Sequence, residues 1–288
     1  MIQSARVIFS RLAVSLLVGS ALSAYNLKNG LDSLNKARTN PKYYATMITD
    51  KYKAKTVNNI QTEWGLQFNE ACPGVFDNAI SFLNSATAIG ALTLDLGMTY
   101  ATRKHAKWLN SQNLLQHQGE GNTMPWDRIG VYTTSFLASS AENAIFNSIT
   151  AKSTTEEFMI ADYIIDDGLS TRGHRTNIFT SKYTHAGLGI YKGATREYFV
   201  ITFAENYKCD KCGEITCDMQ RDCGWLDYLV ATGKSSPCLT SSTNSISVSS
   251  SNSIPTTSSS ATTKSSTTSL LVAVGTSPCV FVLLMMMF

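Results

Sequence analysis

Cysteine and histidine are the residue types here that could carry unusual chemistry. The chain has seven of the first and four of the second. Cys279 stands in an apolar C-terminal run, which leaves Cys72, Cys209, Cys212, Cys217, Cys223 and Cys238. An even set in an exported chain reads as three disulfides, with the connectivity open. A zinc knuckle at Cys209, Cys212, Cys217 and Cys223 is the rival, because four thiolates can hold a tetrahedral ion. Export through an oxidising compartment favours pairing. His105 falls on the apolar stripe of a helical run and reads as a satisfied core residue; His185 precedes a strand and reads as a turn or surface residue. No serine sits in an activating motif and the thiols are expected to be oxidised, so covalent catalysis has no named nucleophile.

The elements that must position these residues follow from periodicity. Leu27, Leu31, Leu34 and Ala37 share one helical face, and Pro41 starts a second run to about Lys53. Further helices are expected over 73–83, 95–113 and 154–166, the second of these with Met98, Ala101, His105 and Trp108 at helical spacing. Ala186–Tyr191 and Tyr198–Ala204 are apolar, β-rich runs that read as an antiparallel hairpin buried on both faces, and Asn143–Phe146 as a further strand. Gly187 and Gly189 in that hairpin read as allowing close packing. Helices in front, helices in the middle and strands late give an α+β layered domain.

The two ends read as removable. Arg6 and Arg11 precede the apolar run Leu12–Leu22, with small residues at Ala21, Ser23 and Ala24; residues 1–24 match a signal peptide. Residues 239–269 are Ser/Thr-rich and read as a disordered stalk. Residues 270–288 form an uncharged hydrophobic tail with no basic flank, which fits a GPI-attachment signal, with a spanning tail as the alternative. Between them lie a main domain at 25–207 and a small Cys-rich appendage at 208–238. Losing Arg6, Arg11 and Lys264 takes the formal net charge of +3 to about zero, and no basic patch dominates, which argues against nucleic acid as a partner. No Asn-x-Ser/Thr acceptor is present.

Several pieces, in order, carry a resemblance. They are Leu-Asn-Lys-Ala-Arg-Thr-Asn-Pro at 34–41, His117 followed by Gly119 and Arg128, and Ala-Glu-Asn-Ala at 141–144. Asp166-Asp167-Gly168, four residues on, leads to Gly173-His174-Arg175-Thr176-Asn177-Ile178, and then come Gly-Leu-Gly-Ile at 187–190 and Phe203-Ala-Glu-Asn. Residues 31–207 thereby resemble the CAP superfamily, the SCP-like or cysteine-rich secretory protein domain, in its bacterial and protist style. The resemblance implies a three-layer α-β-α sandwich whose cleft is lined by two histidines and two acids. By position these are His117, His174 and Glu142, with the second acid among Asp166, Asp167 and Glu157 and Asp166 favoured.

Two imidazoles and two carboxylates in one cleft have a restricted set of uses. Neutral imidazoles held by carboxylates can ligate a divalent metal such as zinc, weakly, since two histidines leave coordination positions open. Either histidine could instead act as a general base, or both could simply tie loops together. The expected classes are therefore a non-catalytic extracellular or cell-surface module that binds lipid, sterol or a surface protein, a metal-assisted hydrolase or peptidase, and a cell-coat or adhesion protein. The membrane enters only through the expected C-terminal lipid anchor.

Overall fold

Two asparagines punctuate the start of the chain's regular structure. Asn26 accepts from Lys28 N at 2.8 Å to cap α1 (Leu27–Thr39), and Asn40 accepts from Tyr43 N at 3.3 Å to cap α2 (Pro41–Met47), with Pro41 in its first turn. The computed structural model describes residues 26–57, 60–61, 74–134, 139–148 and 155–240. The expected signal, Cys72, Cys279, the Ser/Thr stretch beyond Thr240 and the hydrophobic tail lie outside them. After α2 come a π turn at Ile48–Tyr52 and a short ribbon of β1 (Thr56–Val57) and β2 (Ile60–Gln61). Then follow α3 (Val75–Ser85), β3 (Thr93–Leu94), α4 (Leu96–Gln112), α5 (Pro125–Gly130), β4 (Ser140–Ser148), α6 (Glu156–Ile165) and α7 (Gly173–Ile178). The hairpin β5 (His185–Lys192) and β6 (Arg196–Ala204) is followed by α8 (Cys217–Asp222), α9 (Trp225–Ala231) and α10 (Pro237–Thr240).

The main sheet has the order β3-β5-β6-β4, antiparallel except that β3 runs parallel to β5. Alternation along β6 sorts the layers. Tyr198, Val200 and Ala204 join α4 residues such as Met98, Ala106 and Leu109 on one face. Phe199, Ile201 and Phe203 join the larger core built with α1, α3 and α6 on the other. The result is the expected three-layer α-β-α arrangement with β4 at an edge.

α4 lies unusually close to the hairpin. A Cβ on Gly187 would come within 2.4 Å of the Met98 backbone, and one on Gly189 within 2.4 Å of the Thr102 backbone. Bare backbone at both positions lets α4 settle, and Thr102 Oγ1 then reaches Thr202 Oγ1 at 2.7 Å. On the other face the guanidinium of fully buried Arg38 donates to Gly90 O, Ile178 O, Thr180 O and Tyr183 O at 2.6–3.2 Å. Three loop carbonyls and the last carbonyl of α7 are thereby satisfied by one side chain.

Two of the three expected disulfides fall among the described residues, and the third, which needs Cys72, lies outside them. Cys209 pairs with Cys212 and Cys217 with Cys238, which takes apart the rival zinc-knuckle set. Cys223 is a buried free thiol that donates to Gln220 O at 3.4 Å and packs with Tyr100 and Ile215. Once the two pairs close, no other free sulfur exists among the described residues for it to join. Burial pushes its thiol up to about 11, so it stays protonated and inert. Leu226, Tyr228 and Leu229 of α9 belong to the main core, so this stapled segment is docked through apolar contacts.

Candidate functional site

Strand β4 places Glu142 opposite Thr202 and Asn143 opposite Ile201, so the two neighbours project to opposite faces of the sheet. Glu142 points to the α4 side, where its side chain is 1% exposed. Arg128, on α5, donates to Glu142 Oε2 at 2.7 Å and to His117 O and Thr123 O at 3.0 and 2.8 Å, fixing the loop that carries His117. His117 Nδ1 lies 3.1 Å from Glu142 Oε1. Burial works against the Glu142 charge, but His117, His105 and Arg128 together hold its carboxyl below the usual range.

His105 completes this cluster and differs from its sequence reading. It is buried, as expected, but not satisfied: Nε2 faces Gln116 O at 3.1 Å and Glu142 Oε1 at 3.5 Å, while Nδ1 has no partner. A carbonyl only accepts, so the proton sits on Nε2. Burial lowers the ring to about 4 and keeps it neutral, stacked on Trp108 at 5.9 Å. Neither His105 nor Arg128 was singled out as a cluster member from sequence. The available signal was His105's place on the inward stripe of α4.

The second histidine is held on the other face. Asp166 ends α6 in a left-handed conformation, with φ 56°, and turns its carboxylate back to α7. Its Oδ2 accepts from His174 N at 3.0 Å and its Oδ1 lies 2.9 Å from His174 Nδ1. Arg172 braces the connecting loop through Asp166 O and Leu169 O at 2.6 and 2.8 Å. Asn143 donates to His174 O at 3.0 Å, tying α7 to β4. Of the alternatives for the second acid, Glu157 pairs instead with Lys51 at 2.7 Å, whereas Asp167 lines the same cavity as Asp166 and His174. Arg175 makes no salt bridge among the described residues. It donates to Ile164 O, Ile165 O and Asn78 Oδ1 and so caps the end of α6. His185 opens β5, half-buried beside Thr184.

The structure therefore brings His117 to Glu142 and His174 to Asp166 as two carboxylate-held imidazoles, approaching β4 from opposite sides. In each, Nδ1 faces the carboxylate, the arrangement that leaves Nε2 for a metal. Each imidazole is thus in the tautomer that would offer Nε2 to a divalent ion, which would supply a Lewis acid, but the two stand on opposite faces of the sheet. Among the described residues, the one set of three or more ligating atoms within 4.8 Å of one another is Asp95, Cys209 and Cys212. Two of those are joined in a disulfide. Neither His117 nor His174 belongs to a set of three ligating residues among those described, so any ion that either held would be weakly bound.

A family model described as the cysteine-rich secretory protein family, CAP, matches residues 31–206. Comparison with curated proteins finds no match. Among solved structures, one similar chain is an outer surface protein from Borrelia burgdorferi, at 18% identity and a TM-score of 0.32 over 41% of this chain and 80% of that one. Another is an extracellular protein containing a SCP domain from Bacillus anthracis, at 16% identity and a TM-score of 0.33 over 48% of this chain and 41% of that one. This chain thus spans less than half of the Bacillus protein.

Proposed function

The chain belongs to the CAP, or cysteine-rich secretory protein, family, and from that premise we propose that it is an extracellular or cell-surface binding module rather than an enzyme. One observation carries this reading: both oxygens of Glu142 are engaged, Oε2 by Arg128 and Oε1 by His117. A general acid or base must be able to take and return a proton. A carboxylate buried in an ion pair and held below its usual range instead serves as a brace that fixes the cleft wall. Lipid or sterol is the first ligand class to try, with the Ser/Thr stretch and apolar tail presenting the domain at a membrane through a lipid anchor.

The test is whether protein secreted from eukaryotic cells carries extractable lipid and takes up sterol or fatty acid when purified. Repeatedly clean extracts with no uptake would remove the lipid assignment. Release of the protein from intact cells by a phosphatidylinositol-specific phospholipase supports the anchor, and persistent retention favours a spanning tail.

A second reading, hydrolysis, rests on the Asp166–His174 pair. Its carboxylate orients an imidazole whose Nε2 has no partner, as a general base requires. A peptide and ester panel in which His174→Ala abolishes turnover would establish it. Equal background rates for wild type and variant would end it.

A further inference from the structure

A cavity of about 220 Å³ runs along the open edge of β4, past Ala144 and Ile145, and its ionisable lining has one sign. Asp162, Asp166, Asp167 and His174 line it, without any lysine or arginine. Leu115, Phe146 and Leu169 supply apolar walls. An acidic cluster alone is no evidence of a ligand, but His174 adds an independent observation. Its side chain is 8% exposed, Nδ1 is taken up by Asp166, and Nε2 is buried without a hydrogen-bond partner. Leaving a buried polar atom unpaired is costly, so this nitrogen calls for a donor.

We propose that this cavity binds an organic cation, a guanidinium carried on an alkyl arm, which donates to His174 Nε2 and the Asp162 carboxylate while the arm lies on Leu115, Phe146 and Leu169. The assignment does not depend on the lipid reading. A metal ion fits it less well. No three residues of this cluster bring one ligating atom each within 4.8 Å of one another. Metal bonds of about 2 Å would gather them to about 3 Å. A guanidinium presents five N–H donors in a planar fork and reaches acceptors spread more widely. The outer strand already shows the affinity of its aromatic wall for this group: the Arg196 guanidinium sits 4.1 Å from the Phe146 ring centre. The volume falls below the roughly 300–1,000 Å³ of sites for drug-sized ligands, which suits a head group or a single side chain. Burial, followed by the neighbouring Asp166 and Asp167 carboxylates, pushes Asp162 up to about 7, the behaviour of a carboxyl that lacks a counter-cation.

The test is calorimetric titration of the folded, metal-free protein with butylguanidinium, butylamine and butyrate. Butylguanidinium is expected to bind, butylamine more weakly and butyrate not at all. Asp162→Asn, which keeps the side-chain shape, weakens butylguanidinium by about tenfold or more, and Asp167→Asn provides a second neutralisation should the first melt early. Glu157→Gln, on the same helix but paired with Lys51, leaves the affinity unchanged. Absence of heat with butylguanidinium, equal binding of butyrate, or unchanged affinity in both Asp variants overturns the site. Equal binding of butylamine overturns the guanidinium assignment.

Discussion

Glu142 is where the chemistry of this fold is spent, and its neighbours set how the protein responds to acid. His105 titrates near 4 when folded and near 6.5 when unfolded, chiefly because burial disfavours its charge. As pH falls through 6.5 the unfolded chain takes up a proton that the folded chain refuses, so stability is lost down to about pH 4. The loss from this group is about 3 kcal/mol at full burial. Asp162, raised to about 7, acts in the opposite sense: its folded form binds the extra proton, so its contribution grows as pH falls below 7. The two are separated by comparing denaturant unfolding of wild type and His105→Gln from pH 7 to pH 4. The wild type is expected to lose about 3 kcal/mol relative to the variant, and parallel curves would show that His105 titrates normally. Sequence could place His105 inward on α4, but not beside Glu142 and Arg128. Contacts between residues 105, 128 and 142 are made by tertiary folding, and no local period records them.

At the scale of elements, the legible parts were those with a strong period. α1 carries Leu27, Leu31, Leu34 and Ala37 inward, and β5 and β6 are continuous apolar runs because helices cover both faces of the sheet. The two-residue β3 and the six-residue α5 and α7 are too short to show a period. They exist because something else holds them, as Asp166 and Asn143 hold α7. The identity of the cleft residues was legible only through the family resemblance, since nothing in local pattern joins His117 to Glu142. The contact of α4 with the hairpin yields a sharp prediction. Gly187→Ala forces a Cβ into the Met98 backbone and is expected to cost about 3 kcal/mol or more in urea unfolding. Gly90→Ala meets nothing within 4 Å and should stay within about 1 kcal/mol. Equal midpoints for the two variants would mean that α4 does not pack this closely.

For the whole molecule, the Cys217–Cys238 bridge closes a loop with a sequence separation of 21 and holds α8 and α9 against α4 and α1. Replacing both cysteines by serine is expected to lower stability by about 3 kcal/mol, while Cys223 resists alkylation until the chain is unfolded. Rapid labelling of Cys223 in the native protein would contradict its place in the core. The central claim is that this CAP domain uses its braced cleft to bind rather than to turn over a substrate. It is tested most directly by mass spectrometry of organic extracts from protein secreted by eukaryotic cells and purified without denaturation. The account predicts a stoichiometric bound molecule that competes with added lipid or sterol. Clean extracts, no uptake of lipid or sterol, and His174-dependent hydrolysis of a substrate panel would contradict it.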